Sequence, residues 1–187
     1  MNRMCLLMLA GLLLGLGPAA TADLVDMRLV ETAATYGRCD EIRVELRVAA
    51  DGDVPLSFDA VDAVLSWDPT ELTLVTFDNT GAEASYFLSG FLADGDGVND
   101  DLSDGDAIYT ALLTPGMPAD APPAPDDLLI TTLIFAPATP GIGHTVDLLP
   151  TIGQFGQTRV LFEGLPRTGD ISDGAVLSVA ACASDID

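Results

Sequence analysis

An alternation of apolar and polar residues at period two restricts this chain more than any other feature. Ile42, Val44, Leu46 and Val48 are apolar, and Arg43, Glu45 and Arg47 stand between them, so one face of an extended strand meets a core and the other meets water. Val25, Met27 and Leu29 repeat the pattern. The same reasoning predicts strands over residues 25–30, 42–48, 60–67, 72–77, 107–113, 128–135, 145–149, 158–162 and 175–179, nine in all. Turn signals stand between them, among them Asp51-Gly52-Asp53, Asp68-Pro69, Pro140-Gly141 and Thr168-Gly169-Asp170. Only residues 82–91 offer a short helix. Segments 93–106, rich in Gly and Asp, and 115–127, rich in Pro and Ala, read as exposed loops. Short strands joined by tight turns, with 12 prolines and 18 glycines, pack as two sheets face to face. The expected fold is therefore all-β, a nine-stranded two-sheet β-sandwich with jelly-roll topology.

The amino terminus sets the compartment. Arg3 precedes an apolar run over residues 5–16, and Ala20-Thr21-Ala22 supplies the small-x-small pattern of a cleavage site. The run is shorter than the roughly 18 to 20 apolar residues that cross a bilayer. Residues 1–22 are thus expected to be a signal peptide and 23–187 one domain, secreted or periplasmic, with no membrane insertion after cleavage. Cys5 leaves with the leader, so Cys39 and Cys182 remain as the two thiols of an exported chain, a pair suited to one disulfide.

Against 29 acidic residues stand 7 basic ones, none of them lysine, for a net charge of −22. Such a surface repels phosphate backbones and anionic lipid, which argues against nucleic-acid and membrane-surface roles.

The order of these signals resembles a bacterial cohesin domain, related in architecture to the cellulose-binding modules. The stretch that carries most of the likeness is Asp62-Ala-Val-Leu-Ser-Trp-Asp-Pro-Thr-Glu-Leu-Thr-Leu-Val75, an alternating strand that ends in an aromatic-Asp-Pro turn and re-enters a strand through a leucine. Val25 to Val30, Tyr36 to Asp40, the Pro140-Gly141 turn and Asp173-Gly-Ala-Val-Leu-Ser-Val179 follow the family's order as well. The resemblance implies a non-catalytic module that docks a protein partner, dockerin-like or other. The alternatives are a carbohydrate-binding module that holds a polysaccharide and a structural envelope or matrix protein. It also implies that the first and last strands run parallel and adjacent, which brings Cys39 and Cys182 to one end. In cohesins the partner packs on the sheet containing the strand before the aromatic-Asp-Pro turn, and an Asp six residues ahead of that turn's Asp takes part. Here that residue is Asp62, which the alternation places outward with Val64 and Ser66. Ala60 stands where familiar cohesins carry Asn.

Two kinds of chemistry compete with this reading. A Ser-His-Asp hydrolase needs a base, but His144 is the one histidine, it reads as an ordinary turn residue, and no Gly-x-Ser-x-Gly occurs. The run Asp94-Gly-Asp-Gly-Val-Asn-Asp-Asp101 resembles the calcium-binding stretch of thrombospondin type 3 repeats. Asp94, Asp96 and Asp100, with Asp104 as a further ligand, are the candidate calcium ligands, since that ion takes six to eight oxygens from a glycine-kinked loop. A solvated turn is the other reading of the same residues. Trp67 shares its strand face with Val61, Ala63 and Leu65 and is expected in the core rather than on a sugar-stacking surface.

Overall fold

The computed structural model describes residues 24–181. The expected leader and Cys182 lie outside the described residues. In chain order the strands are β1 (Val25–Glu31), β2 (Tyr36–Gly37), β3 (Ile42–Ala50), β4 (Leu56–Phe58), β5 (Ala60–Trp67), β6 (Leu72–Asp78), β7 (Tyr86–Gly90) and β8 (Asp106–Leu113). They continue as β9 (Ala119–Ala121), β10 (Leu128–Pro137), β11 (Gly141–Leu149), β12 (Thr151–Ile152), β13 (Gly156–Gln157), β14 (Arg159–Phe162), β15 (Leu165–Pro166) and β16 (Ala175–Ala180). All nine expected strands are present, joined by seven further ones among the described residues.

Two sheets form the sandwich. One has the order β1-β3-β10-β6, antiparallel throughout. In the other, β8 lies between β7 and β5, and the far side of β5 is shared: its first residues pair with β14 and its last with β11. From β11 that sheet runs on to β16 and then to β2, which pairs with β16 in parallel. Ile42, Val44, Leu46 and Val48 of β3 are fully buried and face Val61, Ala63, Leu65 and Trp67 of β5 across the core, as the alternation requires. Trp67 packs edge-on against Phe135 at 5.4 Å, which places it in the core.

Three expectations need correction. Residues 82–91 hold no helix; Tyr86–Gly90 is β7, because the free edge of β8 leaves backbone groups that a strand satisfies and a helix cannot. Segment 115–127 is mostly exposed, as expected, but is not all loop: β9 pairs with β4, and Asp127 receives the guanidinium groups of both Arg28 and Arg47. Burial pushes the Asp127 carboxyl up, but those hydrogen bonds and charges outweigh it and hold the group below its usual range. His144 is not an exposed turn residue. It is 3% exposed within β11, with Nδ1 2.7 Å from the Glu71 carboxylate.

Candidate docking face

The outer face of the β14-β5-β8-β7 sheet is built in rows, because strand partners on one face sit side by side. In one row Arg159, Asp62 and Thr110 are neighbours. Asp62 does point outward, yet both its oxygens are engaged: Thr110 Oγ1 donates to Oδ1 at 2.7 Å and Arg159 Nε donates to Oδ2 at 2.7 Å. The Asp62 side chain retains 14% exposure and that of Arg159 44%. Asp62 therefore holds the Arg159 guanidinium in place at the surface.

The next row toward the start of β5 is apolar. Leu161, Ala60, Leu112 and Leu88 lie side by side across four strands. A register shift between Tyr86 and Leu88 inserts Phe87 as an extra residue, which is 72% exposed. Tyr86 turns the other way, and its hydroxyl donates to the Ile130 carbonyl in the opposite sheet at 2.6 Å, fixing the edge strand. Beyond this row lies a groove of about 470 Å³ lined by Phe87, Leu112, Pro115, Pro118 and Phe162, with Asp59 and Glu163 at its lip. Glu163 and Gly164 both have positive φ, 53° and 76°, in the two-residue turn between β14 and β15, as a type I′ hairpin demands. The Asp59 carboxylate accepts the Glu163 N–H at 2.7 Å. Glu163 thus belongs to the border of this surface.

Toward the other end of β5 the face is closed. Val64 is fully buried although it lies on the outer side with Asp62, which corrects its expected exposure. Its neighbours in the sheet are Ile108 and Leu149, and the β12–β13 hairpin, which interrupts the passage from β11 to β14, lies over them. Ile152 and the Cδ1 of Ile108 crowd Gly156 so closely that a β-carbon there would overlap both. Thr158, which follows the hairpin, accepts the Val64 N–H at 2.9 Å and donates to the Leu149 carbonyl at 2.5 Å. Ser66 is half-buried beside Asp106. Burial and the nearby charges of Asp104 and Asp94 raise the Asp106 carboxyl above its usual range.

The calcium candidates are dispersed among other tasks. Asp94 accepts backbone N–H groups from Asp96, Val98 and Asn99 at 2.9, 3.1 and 2.9 Å. Burial pushes its carboxyl up, and those amides more than offset that and lower it. Asp96 reaches away to the amides of Gln154 and Phe155, Asp100 is exposed on the short 3₁₀ turn Val98–Asp100, and Asp104 makes a long contact with the Asp106 N–H at 3.4 Å. Among the described residues no three Asp, Glu, His or Cys side chains are placed together to hold a metal ion. On the calcium reading, millimolar calcium should raise the melting temperature more than magnesium does, and Asp96→Ala should remove the difference. Equal shifts by the two ions, unchanged in Asp96→Ala, would leave the loop a solvated turn.

By sequence the chain matches no family model and no characterised protein. By structure it is similar to cohesin modules. The cohesin module of a family 33 glycoside hydrolase from Clostridium perfringens aligns with a TM-score of 0.53 at 8% identity, over 83% of this chain and 98% of that one. The seventh ScaB type I cohesin from Pseudobacteroides cellulosolvens aligns at 0.54 and 12% identity, over 86% and 94%. The third ScaC cohesin of Acetivibrio cellulolyticus, solved in complex with the ScaB dockerin, aligns at 0.52 and 15% identity, over 84% and 100%. The class is thus a two-sheet β-sandwich. More narrowly, its fold is like that of the cohesin modules.

Proposed function

We propose that the protein is an exported, non-catalytic docking module that binds a protein partner on the outer face of the β14-β5-β8-β7 sheet. The observation that carries this is the apolar row of Leu88 and Leu112 beside the exposed Phe87 and the groove below it. Soluble domains seldom leave such contiguous apolar surface without a use. The similar fold of a cohesin solved in complex with a dockerin supports a protein partner. Acidic Asp59 and Glu163 at the lip, within a chain of net charge −22, suit a partner that presents basic groups around an apolar centre. Arg159, held by Asp62, supplies a directed donor at the edge. Export rests on the leader-like residues 1–22; no helix of the described residues is long and apolar enough to cross a membrane. A polysaccharide ligand has less support, since Trp67 is buried in the core. The immobilised domain should retain a stoichiometric protein from the exported fraction and pass unbound over polysaccharide columns. Retention by polysaccharide with no protein captured would move the function to carbohydrate binding.

A further inference from the structure

The Asp94-to-Asp101 run has a structural task that spans the molecule. Asp94 folds its own loop, and Asn99 ties that loop to β8: its side-chain amide donates to the Leu92 and Ile108 carbonyls at 2.6 and 2.8 Å and its oxygen accepts the Ile108 N–H at 2.8 Å. Asn99 thereby completes the backbone pairing of β8 where β7, which ends opposite Thr110, no longer reaches. The loop so fixed projects Asp96 toward the tip of the β12–β13 hairpin. There one carboxylate oxygen, Oδ2, accepts two successive amides, Gln154 N–H at 2.7 Å and Phe155 N–H at 2.6 Å. Gly95 lies against the Phe155 ring, where a β-carbon would come within 3.2 Å. The hairpin has two residues in each strand, too little to hold its own position in water, and its tip residue Phe155 is 64% exposed.

We propose that Asp96 is a positioning residue that latches the β12–β13 hairpin over Ile108 and Val64, and so decides where the open apolar part of this sheet face ends. With the latch closed the face is open at Leu112 and Leu88 and shut at Val64. With the latch lost, Ile108 and Val64 join the exposed surface, which enlarges and changes what the face can accept. The latch stands without reference to any partner; only its consequence for docking rests on the function proposed above.

Amide exchange measured on the mature protein needs no partner, so its failure is separate from failure of the docking assignment. Asp96→Ala should accelerate exchange at Gln154 and Phe155 by about tenfold or more, as loss of charge-assisted hydrogen bonds does, with the amides of β5 and β10 unchanged. Asp96→Asn keeps an acceptor oxygen and should restore most of the protection. A thiol placed by Ile108→Cys should label slowly when Asp96 is present and about tenfold faster in Asp96→Ala. Unchanged exchange at Gln154 and Phe155 in Asp96→Ala, acceleration spread evenly over both sheets, or Asp96→Asn as fast as Asp96→Ala would each overturn the latch.

Discussion

Exported protein alkylated without reduction should carry no modified cysteine, because Cys39 and Cys182 are expected to be joined. Cys182 lies outside the described residues, so the support comes from the strands that lead to it. β2 and β16 pair in parallel, with Tyr36 beside Val179 and Gly37 beside Ala180, and Arg38 N–H donates to the Ala180 carbonyl at 2.9 Å. In sequence that pairing stops two residues before each cysteine. Disulfide geometry asks for this kind of proximity, with α-carbons roughly 4.4 to 6.8 Å apart. The bridge closes 143 residues of separation, which in the loop-entropy model stabilises the fold by about 5 kcal/mol. Cys39→Ser should therefore lower the unfolding free energy by an amount of that order, more than a surface substitution does. Two alkylated thiols on folded, exported protein would contradict the bridge.

Replacing Trp67 should cost nearly as much and touch no ligand. The ring is 5% exposed, sits at the end of β5 and meets Phe135 edge-on at 5.4 Å with the planes 75° apart. Truncation of a buried Trp to Ala removes its transfer free energy and leaves a cavity, for a loss of about 3 to 5 kcal/mol. As the one tryptophan of the chain, it reports on itself: wild-type emission should be blue-shifted and unmoved by added polysaccharide. A quenched or shifted emission on titration with a glycan would return Trp67 to a binding surface.

The strand framework was legible because burial on one face leaves period-two marks. β3 and β5 declare their inner faces in the residues themselves, and Trp67 could be assigned to the core from Val61, Ala63 and Leu65. What strands carry on their outer faces was only half legible. The direction of Asp62 followed from alternation, but its partners Thr110 and Arg159 lie 48 and 97 residues away, and no local pattern announces them. Val64 looked available because the hairpin that covers it comes from a segment too short to show periodicity. His144 was misplaced for a different reason: the register against β16 shifts between Ile142 and His144, at Gly143 with φ 83°. Such a bulge turns the next side chain to the opposite face. The Asp94 run was ambiguous because short acidic loops bind cations or cap amides with the same residues. The two amides that Asp96 accepts lie 58 and 59 residues further on, beyond the reach of any local pattern.

The proposed working surface is the open row at Leu112. Once a partner has been captured, its affinity should be measured for wild type, for Leu112→Asp and for Ile142→Asp. Leu112 and Ile142 are both exposed, 37% and 89%, but Ile142 lies on β11 away from the row. A charge placed at the centre of an apolar interface should weaken binding by about tenfold to a hundredfold, as loss of an interface anchor does. Ile142→Asp should bind as wild type does. Undiminished binding by Leu112→Asp, or a loss confined to Ile142→Asp, would contradict the assignment of this face.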